Sequence, residues 1–219
     1  MKPTPYYQKD NITLICADAR SVLPALVDKS IALLWTDPPY NVGKDYGGWN
    51  DAMPDAEYLT FCAEWIAQAK RITKEQAVYV PTKYITEYWA MLGKAKQIIL
   101  SWSPEGAYRS NFVNQFASIL TTAVPKQRTK DVWHNFQRQG LGYFFRENDY
   151  GHPGYTSEDI TRKVISSFTV PGDSVLDCFA GTGTSAVCAK QLGRKFLGIE
   201  INEDYLKIAI ERLRQGVLL

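Results

Sequence analysis

Two short stretches carry residue types that could do chemistry. The first is Thr36-Asp37-Pro38-Pro39-Tyr40, directly after the apolar run Ile31–Trp35. Paired prolines fix φ and remove two N–H donors, so Pro38 and Pro39 make a stiff, extended turn whose carbonyls are free to accept. A carboxylate on one side and an aromatic ring on the other suit a planar base bearing an amino group. Asp37 and the Pro38 carbonyl would accept its two hydrogens while Tyr40 stacks on the ring. The plainer alternative is a rigid strand-exit turn with a capping aspartate, since Pro-Pro turns are common.

The second stretch is Val175-Leu176-Asp177-Cys178-Phe179-Ala180-Gly181-Thr182-Gly183-Thr184, followed by a helical pattern over Ser185–Leu192 and then by Glu200. It reads as a strand running into a glycine-rich turn. Gly181 to Ala186 also satisfies the G-x-G-x-x-A dinucleotide pattern, with Glu200 near the spacing of a ribose-binding acid. A nicotinamide-dependent oxidoreductase is therefore one reading. Asp177 argues against it, because a carboxylate beside the turn repels a pyrophosphate but suits the ammonium of a methionine moiety. S-adenosylmethionine carries no phosphate and needs close backbone approach rather than anion binding. Glu200 can take ribose hydroxyls under either reading.

Positioning these groups requires strands that end at one edge of a sheet. Apolar runs bounded by turn residues predict strands at Thr13–Ala17, Ile31–Thr36, Ala77–Val80, Gln97–Trp102, Phe116–Leu120, Ser174–Cys178 and Lys195–Ile199. Helical patterns cover Asp55–Lys70, with Tyr58, Phe61, Cys62, Trp65 and Ile66 on one face, and Ser157–Phe168, opened by a capping-box pattern. A third, Asn202–Arg214, starts from a capping asparagine. Strand–helix alternation at both ends implies a doubly wound, mainly parallel α/β sheet of the Rossmann-like kind. We expect one domain over 1–219. Residues 102–151 lack the rhythm and read as a small insertion beside the sheet, rich in aromatic and basic residues.

Together the two motifs resemble the N6-adenine/N4-cytosine family of DNA amino-methyltransferases, in the permuted beta-class order. There a DPPY block (here Asp37–Tyr40) precedes an F-x-G-x-G-T block (here Phe179–Thr184). The resemblance implies a methyltransferase fold with S-adenosylmethionine as cofactor and DNA as partner. It implies a base flipped from the duplex and methylated on its exocyclic nitrogen, N6 of adenine rather than N4 of cytosine, as in restriction-modification. It also implies a homodimer and no metal. Asp18 falls where the family has an acid near the cofactor adenine, and residues 41–46 look like its active-site loop. His152-Pro153 matches the start of an H-P-T-x-K-P element, but Gly154-Tyr155-Thr156-Ser157 follows without the Lys-Pro pair. His152, Thr156 and Ser157 are then expected near the cofactor carboxylate, through a helix N-terminus. Lys44, Lys126, Arg128, Lys130 and Arg138 are the candidate DNA contacts, with Trp133 and Phe136 interleaved. A protein that kept the fold but only binds DNA is the alternative of a different class.

Composition is compatible with all of this. Hydrophobic residues make up 45% of the 219 and charged residues 22%, with a net charge of +2. That balance permits a local basic face without demanding one. Four cysteines without C-x-x-C spacing read as reduced thiols of a cytoplasmic protein.

Overall fold

This computed structural model describes residues 3–47, 49, 51–101, 116–126, 129–133 and 156–215. Its centre is one sheet built from β1 (Tyr7–Lys9), β2 (Ile12–Cys16), β3 (Ile31–Thr36), β4 (Thr73–Val80), β5 (Lys96–Ser101), β6 (Phe116–Thr121), β7 (Val132–Trp133), β8 (Ser174–Asp177) and β9 (Lys195–Glu200). The strand order is β1-β2-β9-β8-β3-β4-β6-β5-β7. The run β2-β9-β8-β3-β4 is parallel throughout, whereas β1 pairs antiparallel with β2 and β6 antiparallel with both β4 and β5.

The parallel strands read as nearly unbroken apolar runs because both of their faces are covered. In β3, Ile31 and Leu34 face one layer while Leu33 and Trp35 face the other. The first layer is α1 (Ala19–Val22), α2 (Asp55–Ile72) and α3 (Ile85–Leu92). There Tyr58, Phe61, Cys62, Trp65 and Ile66 of α2 all turn inward, as their spacing predicts. The second layer is α4 (Glu158–Phe168), α5 (Thr184–Gln191) and α6 (Glu203–Arg214). Its core residues include Val164, Ile165, Ala186, Ala189, Leu206 and Ala209. Each wholly buried Leu or Ile in these layers contributes roughly 1.5–3 kcal/mol relative to exposure. Two caps predicted from sequence are present: Ser157 accepts from the Ile160 N–H and Asn202 from the Asp204 N–H.

The sequence reading of 102–151 as a region beside the sheet needs correction. Residues 116–121 form β6, which lies inside the sheet between β4 and β5. β7 pairs with β5 and turns Trp133 into the second core layer, where it is 2% exposed. Trp133 stacks under the Lys163 ammonium at 4.6 Å and donates from Nε1 to the Lys130 carbonyl. It is a core residue with no ring face for a nucleic acid base. Phe136 lies outside the described residues. Sequence reading also passes over β1, β7 and α3, and starts β4 four residues late; these elements are short or polar enough to lack a clear period.

Candidate active site

β3, β8 and β9 are neighbours and parallel, so the residues at their carboxyl ends meet. Asp37 follows β3 directly, Asp177 ends β8 and Glu200 ends β9. Between them opens a cleft lined by Trp35, Asp37, Thr156, Asp177, Phe179 and the Ala180–Gly181 turn, with Thr182, Thr184 and Ser185 beyond it. A crevice at the carboxyl ends of a parallel sheet is the usual ligand position of such folds.

On the β3 side, the Asp37 carboxylate is held by two hydroxyls. Tyr40 donates to Oδ1 at 2.6 Å and Thr156 donates to Oδ2. Burial pushes the Asp37 carboxyl up to about 6; the charge of Asp177 adds to this, while the two hydroxyls and the Lys44 ammonium oppose it. The Tyr40 ring lies nearly parallel to that of Tyr79 on β4, with centroids 6.3 Å apart and planes inclined by 15°. Tyr58 of α2 donates to the Pro39 carbonyl at 2.8 Å, so the helix layer braces the turn.

The segment after Tyr40 is fixed by a residue that sequence reading misses. Asp51 is 3% exposed, and its carboxylate accepts from the backbone N–H groups of Asn41, Val42 and Lys44 at 2.7–3.0 Å. Its carbonyl takes the Gly43 N–H. Asn41, at φ +57°, hydrogen-bonds through its amide to both backbone groups of Met53. Nothing local marks Asp51: it is a lone acid among loop residues, and its role appears only when the chain folds back ten residues.

On the β8–β9 side the fixtures are buried carboxylates and backbone. Asp177 accepts from the Thr36 hydroxyl at 2.7 Å, from the Phe179 N–H at 3.0 Å and from Ser185. Glu200 accepts from the Gly181 N–H at 2.8 Å and from the Asn202 N–H at 2.9 Å. Burial raises the pKa of both carboxyls. Gly183 has φ +84°, and a Cβ there would stand 2.6 Å from the Ala209 Cβ, so the glycine lets α6 pack against the turn. Arg212 of α6 reaches back to the Thr182 carbonyl at 2.7 Å, to both threonine hydroxyls and to Glu158. It too escapes sequence reading, since a basic residue in a last helical turn looks like ordinary surface.

The predicted site residues therefore fall into groups. Asp37, Pro38, Pro39 and Tyr40 come together with Asp177, Phe179–Thr184 and Glu200. Thr156 joins them, but its hydroxyl is bonded to Asp37, on the side opposite to the expected one. Ser157 caps α4. Asp18 caps α1 through the Arg20 N–H at 2.8 Å and pairs with the Arg20 guanidinium at 2.7 Å. Lys44 is half-buried close to Asp37, while Lys126 and Lys130 are exposed. Arg128, Arg138 and His152 lie outside the described residues. Among the described residues no cluster fit for a metal ion occurs, no helix is long and apolar enough to cross a membrane, and the four thiols are free.

What the cleft can do follows from its charge. Two carboxylates, Asp37 and Asp177, line it beside a glycine turn that a third, Glu200, holds from behind. Such a site attracts a cation and repels a pyrophosphate. Comparison with known proteins agrees. The N6_N4_Mtase family model, described as DNA methylase, matches residues 31–102 and 82–211. The Type II methyltransferase M.HpaI of Haemophilus parainfluenzae is 30% identical over 91% of this chain and 73% of its own length. The DNA adenine methyltransferase YhdJ of Escherichia coli is 28% identical over 92% of this chain and 82% of its own length. In fold, the chain is similar to the cytosine-N4-specific PvuII DNA methyltransferase, with a TM-score of 0.74 at 16% identity over 95% of this chain and 88% of that one. It is also similar to M1.HpyAVI in its SAM complex, with a TM-score of 0.67 at 23% identity over 92% and 98% of the two chains.

Proposed function

The chain belongs to the N6_N4_Mtase family of DNA methylases, and on that footing we propose that it methylates the N6 amino nitrogen of adenine in DNA, with S-adenosylmethionine as methyl donor. The observation that carries this reading is the meeting of Asp37, held by two exchangeable hydroxyls, with a cleft lined by Asp177 and the Gly181 turn. Asp177 offers a partner for the donor's ammonium, Glu200 for its ribose hydroxyls, and the backbone of Gly181–Gly183 allows close approach. When bound, S-adenosylmethionine supplies an electrophilic methyl group on a sulfonium.

The chain's own residues do the rest. Asp37 and the Pro38 carbonyl accept the two amino hydrogens of an extruded base and turn its nitrogen lone pair toward the cleft. Tyr40 presents its ring to the base and its hydroxyl to Asp37. Above about pH 6 Asp37 is ionised and accepts fully. Catalysis is then positioning plus electrostatics in a site shielded from water. Adenine is favoured by the aspartate that opens the Asp37–Tyr40 turn and by the likeness to an adenine-directed relative. The order of the two motifs supports the permuted beta class. Lys44 and the exposed Lys126 and Lys130 supply phosphate contacts, with 102–151 carrying recognition. We infer a homodimer acting in the cytoplasm, by resemblance.

Nucleoside mass spectrometry on DNA incubated with the protein and the donor tests the reading. Methylation at N6 of adenine is expected. Only N4-methylcytosine would move the target base and leave the rest standing, whereas no transfer to any DNA would leave a binding module.

A further inference from the structure

Asn202 has more chemistry than its position requires. As the N-cap of α6 it needs only an oxygen, and Oδ1 accepts from the Asp204 N–H at 2.9 Å. Serine, threonine or aspartate would serve as well. The amide brings a second, donating atom: Nδ2 donates to the Tyr46 carbonyl at 3.1 Å. Gly47, at φ +70°, lies so close that a Cβ there would stand 2.4 Å from Nδ2. Meanwhile the Asn202 N–H donates to Glu200 Oε1, and Glu200 Oε2 takes the Gly181 N–H.

These contacts form one continuous connection. It runs from the Tyr46 carbonyl through Asn202 and Glu200 to the glycine turn. Residues 41–47 leave the end of β3, are pinned by Asp51 at their start, and reach the head of α6 beyond β9. They bridge the base side to the cofactor side. We propose that Asn202 is a positioning residue: its side-chain amide holds the Tyr46 carbonyl while its backbone N–H holds the Glu200 carboxylate, so that the 41–47 segment and Glu200 are anchored on one residue and cofactor capture and base capture act on one connected unit. The inference rests on the reading of Glu200 as the ribose-binding group.

The separating variant is Asn202→Ser, which keeps a capping oxygen and removes the donor. Its melting temperature should stay close to that of the parent protein, as a preserved cap requires. Its affinity for S-adenosylhomocysteine should fall about five-fold, the effect of one lost hydrogen bond at a partly buried site. The KM for DNA should rise, and amide exchange at Tyr46 and Gly47 should quicken. Gly47→Ala approaches from the opposite side, pushing the Asn202 amide off the Tyr46 carbonyl, and should weaken S-adenosylhomocysteine binding and raise the KM for DNA in the same way; it decides the matter if Asn202→Ser does not fold. Asn202→Ala, which loses cap and donor together, should lower the melting temperature as well. Parental affinity, KM and exchange in either separating variant, with Glu200→Gln weakened in cofactor binding, overturn the proposal. If instead Glu200→Gln binds S-adenosylhomocysteine normally, the assignment of Glu200 itself is wrong.

Discussion

The two sides of the cleft are held by different means. On the β8–β9 side, Glu200 is buried and accepts from the backbone N–H groups of Gly181 and Asn202, Asp177 adds the Phe179 N–H to its two hydroxyl donors, and Gly183 is locked against α6. On the β3 side, both Asp37 oxygens rest on hydroxyls, one of them from a residue 119 positions away. A hydroxyl is a donor that rotates away cheaply, so the amino hydrogens of a base can replace it at low cost. On the function proposed above, the cofactor side is held mainly by backbone and packing, whereas the base side is free to exchange partners.

That contrast can be broken most severely at Asp37. Asp37→Ala should lower single-turnover methyl transfer by roughly two to three orders of magnitude, the usual loss when a preorganised electrostatic group is deleted. Thermal-shift titration should show cofactor binding nearly intact. A comparable loss of binding would mean the two sides are not separable in this way.

The reverse change is Gly183→Ala. The new methyl group meets Ala209 in a conformation that side chains rarely adopt, and overpacking of this kind costs about 1–3 kcal/mol. Denaturant unfolding should register that cost, and cofactor affinity should fall with it. Unchanged stability would show the turn to be softer than its packing implies.

pH sharpens the comparison. The folded Asp37 keeps its proton up to about pH 6, above the ordinary value near 4, so it opposes folding as pH rises through that window. Activity that needs the ionised carboxylate should therefore rise through about pH 6. Thr156→Val deletes a hydroxyl that favours the charged form, and should move that limb to higher pH. A limb that does not move would place the titrating group elsewhere. Tyr40→Phe should be the mildest change, keeping the ring and displacing the limb in the same direction. Tyr40→Ala should instead weaken capture of the extruded base, a stacking effect of about 1–3 kcal/mol at single-stranded sites. Fluorescence of 2-aminopurine at the target position reads that capture directly.

The same contrast explains what was legible in the sequence. The glycine turn, Asp177 and the caps at Ser157 and Asn202 are local: each needs a residue type at a fixed spacing from its neighbours. The DPPY turn was equally plain. Its supports were not, because Thr156, Asp51 and Tyr58 act across the fold, and a lone acid or hydroxyl carries no period. Thr156 was expected on the cofactor side because 152–157 resembles the H-P-T-x-K-P element and leads into a helix N-terminus, yet its hydroxyl turns to Asp37. Trp133 was misread because aromatics among basic residues suggest a nucleic-acid surface, whereas pairing of β7 with β5 decides its burial. Apart from the polar first half of β4, the central strands were found with nearly correct ends, since runs covered on both faces are mostly apolar.

The order of the sheet also governs how the molecule can be made. β2 has no parallel partner until β9, pairing residue 12 with residue 196, and β3 lacks its inner neighbour until β8. A chain leaving the ribosome thus carries β3 with one edge bare, its Leu33 and Trp35 uncovered, through most of its synthesis. Such edges invite pairing with other chains, and distant pairings form slowly. Newly made protein should therefore depend on chaperones until the last strand emerges, and chains cut short before β9 should aggregate rather than fold.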